Sequence, residues 1–220
     1  MRFSLINGYQ HIIWDWNGTL FNDVELCREI INKILEENNL PQLSLTGYRN
    51  IFTFPVSDYY KAAGLDFSKT PFEVLGKQFM DEYEQRKFES ALYDHAELIL
   101  EKISAAGISQ SVLSAYTQNS LENLINYFGI GDKFIGLAGL DNIYAAGKIE
   151  TGRRWIKKIG YDPKKILLIG DTVHDFHVAE DLGTDCLLIA DGHQGKDKLL
   201  ECNVTVLDSL KELSDKNGPV

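Results

Sequence analysis

The sequence has no long apolar run and no basic run, and these two absences exclude several classes of protein. No segment reaches the roughly 18 consecutive apolar residues that a membrane-spanning helix needs. The first residues also lack the charged start, apolar stretch and small-residue cleavage site of a secretion signal. The formal net charge of -10 places a repulsive field in front of nucleic acid and acidic membrane surfaces. We therefore expect neither nucleic acid nor a membrane as a partner.

Cysteine is scarce as well. Cys27, Cys186 and Cys202 are odd in number and too scattered for a zinc-binding spacing or a redox pair. We interpret them as reduced, mostly buried thiols of a cytoplasmic protein. The sequence also lacks the Gly-x-x-x-x-Gly-Lys-Ser/Thr loop that binds nucleotide phosphates and the Gly-x-Ser-x-Gly turn that presents a serine nucleophile.

What the sequence does contain is a series of short apolar runs, which predict parallel strands. At 220 residues and 44% hydrophobic, the chain can bury one substantial core. Runs typical of buried parallel strands occupy residues 11–14, 112–113, 134–137, 166–169, 186–189 and 204–207. Stretches with helical spacing and helical end signals lie at 94–107, 119–129, 151–159 and 173–182. This alternation predicts an α/β fold with a Rossmann-like, doubly wound parallel sheet.

The segment at residues 22–93 has a different character. It contains helical patterns only, including an amphipathic stretch at 22–34 and a second start signal at Pro71. The segment is too long to be a simple connection between two elements. We predict that it forms an all-α cap inserted into a core made of residues 1–21 and 94–220.

Two apolar runs each end in an aspartate, Asp15 after the first strand and Asp171 after a later one. Ligands bind at the carboxyl ends of strands in an open parallel sheet, so the two carboxylates can converge. Together with carbonyls and water they would suit magnesium, which would allow an anionic carboxylate to approach an anionic phosphate ester. Singly, each segment is more often a turn or a helix cap, but the pair in this order favours a phosphoryl-transfer site.

With these motifs the sequence resembles the haloacid dehalogenase superfamily, in particular its phosphoglycolate phosphatase-like members with a helical cap after the first strand. The resemblance covers nearly the whole chain. Four motifs carry it, in chain order: Asp15 with Gly18 and Thr19; Ser114; Lys148; and Gly170-Asp171-Thr172 with Asp175.

The resemblance implies a magnesium-dependent phosphatase that acts on a small phosphorylated metabolite. Asp15 would be the nucleophile and would form an aspartyl-phosphate. Asp171 and the backbone carbonyl of Asn17 would join Asp15 as magnesium ligands, and Asp175 would support the metal from behind them.

The same resemblance assigns three residues to the phosphoryl group. Ser114 and Lys148 would hold its oxygens, a task that suits a hydroxyl donor and a cation. Thr19 would contribute to substrate binding. Without the resemblance, Lys148 would be an ordinary surface lysine and Ser114 an ordinary hydroxyl at a strand end.

Asn17 departs from the pattern of the superfamily's phosphatases, which usually have aspartate two places after the nucleophile. That aspartate protonates the leaving group and then activates water, and an amide can do neither. The proton transfer typically contributes about 10²- to 10⁴-fold in rate. We expect Asn17→Asp to raise the turnover of alkyl phosphates.

Several alternatives stay open at this stage. A phosphomutase would also need the missing acid/base, and a dehalogenase would have little use for the later metal carboxylates. Asn17 directly supports a third alternative, a phosphate-binding sensor with little turnover.

The substrate is not evident from the sequence. If the predicted cap faces the site, the candidate specificity residues are Arg49, Phe52, Tyr59, Tyr60 and Lys61. Three histidines near the second carboxylate motif and the loop after it lack a ligand-like pairing, and we expect surface or helix-face positions for His174, His177 and His193.

Overall fold

The computed structural model describes residues 5–140 and 147–214. In chain order its strands and α-helices are β1 (His11–Trp14), β2 (Phe21–Asn22), α1 (Val24–Glu37), α2 (Leu45–Ile51), α3 (Val56–Ala62), α4 (Phe72–Arg86), β3 (Ala91–Leu92), α5 (Ala96–Ala105), β4 (Ser109–Thr117), α6 (Gln118–Tyr127), β5 (Leu137–Leu140), α7 (Lys148–Ile159), β6 (Ile166–Gly170), α8 (Val173–Leu182), β7 (Asp185–Ile189), α9 (Lys196–Leu200), β8 (Thr205–Leu207) and α10 (Lys211–Ser214).

Six strands form one parallel sheet in the order β5-β4-β1-β6-β7-β8. The chain runs from β1 outward through β4 to β5, and then crosses to the other side of β1 for β6, β7 and β8. Strand β1 therefore lies where the strand order reverses. In open α/β sheets, ligands bind in the crevice at this point, beyond the carboxyl ends of the strands.

Helices cover the sheet on both faces, as the alternation of side chains along the strands requires. Ile12 packs into a large core that includes residues of α5 and α6, whereas Ile13 packs into a second cluster with residues of α7 and α8. Both isoleucines are fully buried. The predicted α/β class and doubly wound sheet are confirmed.

Four helices, α1 to α4, lie between the short strands β2 and β3 in the chain. The short strands β2 and β3 pair antiparallel at the base of this segment, with Phe21 opposite Leu92. The apolar face of α1 is buried, and α1 packs against α4. The segment is thus helical between two short strands, and its division from the core as a separate domain stays a prediction.

The structure corrects two of the predicted strands on one side of the sheet. Strand β5 begins at Leu137, where residues 134–137 were predicted, because pairing with β4 starts only at Val112 and Leu137. Strand β4 is longer than its apolar run. Its polar residues Gln110 and Ser111 are buried because Gln110 bonds to the Trp14 indole and Ser111 to the Trp155 indole.

Helix α7 begins at Lys148, three residues before the predicted start, with Gly147 as its N-cap. This shift places Lys148 in the first turn of a helix that packs on the sheet. Of the three free cysteines, Cys27 is buried and the other two are partly exposed. Within the described ranges, no helix combines the length and the apolarity needed to cross a membrane.

Candidate active site

Asp15 and Asp171, the two carboxylates predicted to converge, lie together at the carboxyl edge of the sheet. They follow the neighbouring strands β1 and β6, and the amide of Asp15 donates to the carbonyl of Ile169 at 2.8 Å. The Thr19 hydroxyl donates to Oδ1 of Asp171 at 2.9 Å and lies 3.5 Å from Oδ2 of Asp15. Thr19 therefore bridges the two carboxylates.

Two glycines permit this close packing around Asp171. Gly18 has φ of +76°, and a Cβ there would lie 2.4 Å from Oδ2 of Asp171. A Cβ at Gly192, in the loop after β7, would lie 2.2 Å from the same oxygen. Both distances are too short for any side chain, so the carboxylate of Asp171 is enclosed by backbone on two sides.

Lys148 links the nucleophile candidate to Asp175. Its ammonium group donates to the carboxylates of Asp15 and Asp175, and its side chain is buried. The other oxygen of Asp175 accepts from the backbone N–H and the hydroxyl of Thr172, which completes a capping box at the start of α8. Asp175 thus holds the lysine and the helix end at the same time.

The charges of this cluster do not balance. Burial raises the pKa of Asp15 well above its usual value, an effect that Lys148 opposes and that Asp175 and Asp171 reinforce. Burial also raises the pKa of Asp171, to about 6. Burial disfavours the charged form of Lys148, but the two adjacent carboxylates outweigh it and raise the lysine pKa. One cation therefore faces three carboxylates.

This donor set fits a hard divalent cation. Carboxylate oxygens of Asp15, Asp171 and Asp175 lie within 4.8 Å of one another, and all three residues are buried. Magnesium takes a small number of carboxylate ligands and completes its shell with water and phosphate oxygens. Burial raises the pKa of both Asp15 and Asp171, and the charge of a bound cation would favour their ionised forms.

Ser114 lies in β4, where the pairing of β4 with β5 becomes irregular. Its hydroxyl accepts a hydrogen bond from the backbone N–H of Tyr116 at 3.0 Å. Ser114, Lys148 and Asp15 line one cavity. The structure therefore brings together the predicted nucleophile and the two predicted phosphoryl-binding side chains.

Asn17 is held in a network that the sequence did not reveal. Its amide nitrogen donates to Oδ2 of Asp23 and to the Tyr83 hydroxyl, each at 2.8 Å. Tyr83 in turn donates to the same oxygen of Asp23 at 2.7 Å, and the backbone N–H of Gly18 donates to the other one at 3.0 Å. A buried carboxylate therefore lies directly beside the asparagine that replaces the expected aspartate.

His193 completes this network, so the expectation of a surface or helix-face position for it is wrong. Its ring lies 3.3 Å from Oδ1 of Asp23 and 2.8 Å from the Tyr48 hydroxyl, and its backbone N–H donates to Asp171 at 2.7 Å. Burial alone would lower the pKa of His193, but Asp23 raises it overall. For Asp23 the directions are reversed: burial alone would raise its pKa, but His193 lowers it overall. The two groups thus favour an ion pair.

The other two histidines differ from each other. His177 is exposed on α8 and pairs with Glu180, as expected. His174 is half-buried, and its ring lies 4.8 Å from that of Phe54.

The cavity above these groups has a volume of about 180 Å³ and lies between the helical segment and the sheet. Asp15, Asn17, Ser114 and Lys148 form its base. Aromatic side chains of the helical segment form most of its walls, among them Phe52, Tyr59, Tyr60, Phe72, Phe79 and Tyr83.

The five candidate specificity residues separate into two groups. Phe52, Tyr59 and Tyr60 line the cavity. Arg49 is directed to the loop after β7, where it donates to the carbonyls of Asp191 and Gly192. Lys61 is exposed and pairs with Asp58.

A family model described as "Haloacid dehalogenase-like hydrolase" matches residues 12–189, which include all four motifs. The chain belongs to this family. The match confirms the superfamily predicted from the motifs and the prediction that the chain is a hydrolase.

Relatives of this haloacid dehalogenase-like chain include two proteins named as phosphatases. One is N-acetylmuramic acid 6-phosphate phosphatase of Pseudomonas aeruginosa, 23% identical over 83% of this chain and 82% of that protein. Another is phosphoglycolate phosphatase of Rhodospirillum rubrum, 22% identical over 94% of this chain and 90% of that protein.

Solved structures show the same fold with differently named activities. A predicted phosphatase from Clostridium acetobutylicum superposes with a TM-score of 0.78 at 17% identity, over 93% of this chain and 96% of that one. Protein Tyrosine Kinase A of Mycobacterium tuberculosis gives 0.78 at 21% identity, over 94% and 97%. At these identities the likeness establishes the fold alone.

Three residues of the site, Asp23, His193 and Gly192, were missed in the sequence. A signal existed for the last two, since they follow β7 at the same sheet edge to which β1 delivers Asp15. No comparable signal existed for Asp23. It precedes α1, and in the sequence it cannot be distinguished from a helix cap; only the fold shows that its carboxylate bonds to Asn17.

Proposed function

We propose that this haloacid dehalogenase-like chain is a magnesium-dependent phosphatase that hydrolyses a small phosphorylated metabolite through an aspartyl-phosphate on Asp15. One observation carries the proposal: Asp15 lies at the reversal of strand order, in contact with Lys148 and within the carboxylate cluster of Asp171. Its side chain borders a cavity that can hold the substrate.

The reaction has two steps, in which Asp15 is first phosphorylated and then restored. In the first, a carboxylate oxygen of Asp15 attacks phosphorus, and the bond from phosphorus to the ester oxygen breaks. In the second, water attacks phosphorus, the acyl phosphate bond breaks, and inorganic phosphate leaves with Asp15 restored. Lys148 and the Ser114 hydroxyl donate to the phosphoryl oxygens as their charge changes.

Asp15, Asp171 and the backbone carbonyl of Asn17 would hold magnesium, with Asp175 behind them. When bound, the ion supplies positive charge that offsets the repulsion between carboxylate and phosphate. Lys148 must shift part of its contact from Asp15 to the phosphate for the attack to occur. The second contact of Lys148, to Asp175, keeps the ammonium group in place during that shift.

Asn17 restricts the first step. Its amide is engaged with Asp23 and Tyr83 and has no proton to give. A leaving group that departs without protonation is therefore favoured, and the aspartyl-phosphate should persist because water lacks its usual base.

Residues 22–93 act as a cap in this proposal, and the described site agrees with a closed cap. Tyr48 and Tyr83, from α2 and α4, bond across to His193 and Asn17 of the core. Closure excludes bulk water while the phosphoenzyme forms, and opening then releases the product.

A magnesium titration with 4-nitrophenyl phosphate tests this function. We expect turnover that requires magnesium, and its loss in Asp15→Asn, which preserves shape and removes the nucleophile. Turnover by Asp15→Asn, or turnover unaffected by removal of magnesium, contradicts the proposal. Stabilisation by phosphate and magnesium without any product would favour the phosphate-binding sensor.

A further inference from the structure

The cavity beside Asp15 has walls of an unusual kind for a site that receives a phosphorylated metabolite. Side chains of α3, α4 and the turn between α2 and α3 surround it with aromatic rings. The rings contact one another edge-on or tilted: Tyr59 against Tyr60 at 5.5 Å and Tyr60 against Phe72 at 5.5 Å between centroids. Such walls favour a flat, apolar group.

The size of the cavity suits one aromatic ring. Its volume is about 180 Å³, and an apolar protein cavity of about 150 Å³ takes up benzene. Gly76, on α4, opens part of the wall, because a Cβ at this position would meet no atom within 4 Å.

The charge of the cavity opposes a substrate with a second anionic group. Among the described residues that line it, Lys148 is the only lysine or arginine, and it already contacts two carboxylates, while His193 is paired with Asp23. Arg49 and Lys61, the basic candidates of the helical segment, are directed elsewhere. A carboxylate or a second phosphate on the substrate would enter the cavity without a partner, which is costly in a buried site.

Two residues of the cavity wall carry a buried polar atom without a hydrogen-bond partner, which a neutral polar substituent of the substrate would satisfy. The Tyr59 hydroxyl and Nε2 of His174 are buried and have no hydrogen-bond partner. Both residues line the cavity, and Tyr59 is only 2% exposed. Buried polar groups of this kind are rare in native proteins unless a ligand or water meets them.

The amide of Asn17 also favours a substrate whose phosphate is attached to an aromatic ring. Since the amide cannot protonate the leaving oxygen, that oxygen must leave as an anion. A phenolic oxygen, with a pKa of about 10 as in tyrosine, leaves far more readily than an alkoxide, whose conjugate acid is as weak an acid as water.

We propose that the aromatic cavity is the leaving-group site for an aryl phosphate monoester, a single phosphorylated ring with neutral substituents. The inference rests on the proposed function and specifies its substrate class. It predicts poor binding of phosphorylated carboxylic acids, because Lys148 and His193, which line the cavity, are already paired with carboxylates.

Binding of non-hydrolysable phosphonates tests the substrate class without any turnover. Titration calorimetry on the whole chain, at fixed free magnesium, compares benzylphosphonate, methylphosphonate and phosphonoacetate. We expect benzylphosphonate to bind at least about tenfold more tightly than either of the others, because only its ring fills the aromatic cavity. Equal or tighter binding of phosphonoacetate overturns the inference.

Gly76→Leu provides a second arm, since the new side chain would occupy the space of the ring. The affinity ratio of benzylphosphonate to methylphosphonate should fall at least about threefold, whereas Val74→Leu, on the exposed face of the same helix, should leave the ratio unchanged. An unchanged ratio in a folded Gly76→Leu protein overturns the inference.

Inorganic phosphate separates this inference from the proposed function. If phosphate and methylphosphonate bind with magnesium but benzylphosphonate binds no more tightly than methylphosphonate, the proposed aromatic leaving-group site is wrong and the phosphatase proposal stands. If no phosphate or phosphonate binds, both are wrong.

Discussion

At the residue scale, the feature that most affects chemistry is the pairing of Asn17 with Asp23. The amide donates to a carboxylate that is itself buried and bonded to Tyr83 and His193. The position of the expected acid/base thus contains an amide, and a carboxylate lies one hydrogen bond away. A single substitution to aspartate would put two carboxylates about a hydrogen-bond length apart, and their repulsion would oppose the ionised form of both.

This geometry changes the expected result for Asn17→Asp. We predict that Asn17→Asp together with Asp23→Asn raises kcat/KM for alkyl phosphates by about 10²-fold or more, because the pair keeps one amide and one carboxylate. Asn17→Asp alone should gain less and unfold more readily. Steady-state kinetics with an alkyl and an aryl phosphate measure the difference, with Asp23→Asn as the control. The prediction fails if the double variant matches wild type on alkyl phosphates.

A second prediction at this scale concerns His11, far from the site. The ring is buried between the hydroxyls of Ser109 and Ser111, at 2.7 Å each, and burial lowers its pKa from 6.5 to about 4. As pH falls below 6.5, the unfolded chain binds a proton that the folded chain does not, so stability falls with pH until about pH 4. From pH 7 to 5 this amounts to about 2 kcal/mol.

Urea unfolding at the two pH values checks this. His11→Gln should lose about 2 kcal/mol less than wild type between pH 7 and pH 5, whereas His177→Gln, an exposed control on α8, should behave as wild type. Identical pH dependence in wild type and His11→Gln would show that His11 is not the cause.

At the element scale, the predicted ends of an element are correct where local sequence signals alone determine them. Helix α8 was predicted with both ends correct, because Thr172 and Asp175 form a capping box and Gly183 follows the last turn. Strand β4 was predicted too short, because its polar residues are buried by hydrogen bonds to Trp14 and Trp155 that depend on the fold. Local patterns cannot reveal such distant partners.

The contact between α2 and the loop after β7 gives a prediction about motion at this scale. Arg49 donates to the carbonyls of Asp191 at 2.6 Å and Gly192 at 2.9 Å, and these two hydrogen bonds hold α2 against the loop. Arg49→Lys keeps the charge but cannot reproduce both bonds. We expect faster amide hydrogen exchange in residues 45–62 of the variant, with exchange in β1 and β6 unchanged.

Lys61→Arg serves as the matched control, since Lys61 is exposed and its ion pair is with Asp58 of the same helix. Exchange in residues 45–62 that is the same in Arg49→Lys as in wild type would mean that other contacts alone keep the segment closed.

At the scale of the whole molecule, the strand order explains why the convergence of the candidate site residues was predictable. Asp15, Ser114 and Asp171 come from three adjacent strands, β1, β4 and β6, so the rule for strand ends in a doubly wound sheet brings them together. Lys148 required the family resemblance, because its segment has no strand signal. The aromatic cavity depended on how the four helices pack over the sheet, which no local pattern fixes.

The proposed mechanism requires that Asp15 becomes phosphorylated, and a rapid acid quench followed by peptide mass spectrometry detects this phosphorylation. With 4-nitrophenyl phosphate and magnesium, we predict a phosphate adduct on the peptide that contains Asp15. Because Asn17 leaves water without a base, the adduct should accumulate during turnover, and it should be absent without magnesium and in Asp15→Asn. Sustained turnover with no adduct on that peptide, or with the adduct on another residue, would show that Asp15 is not the nucleophile.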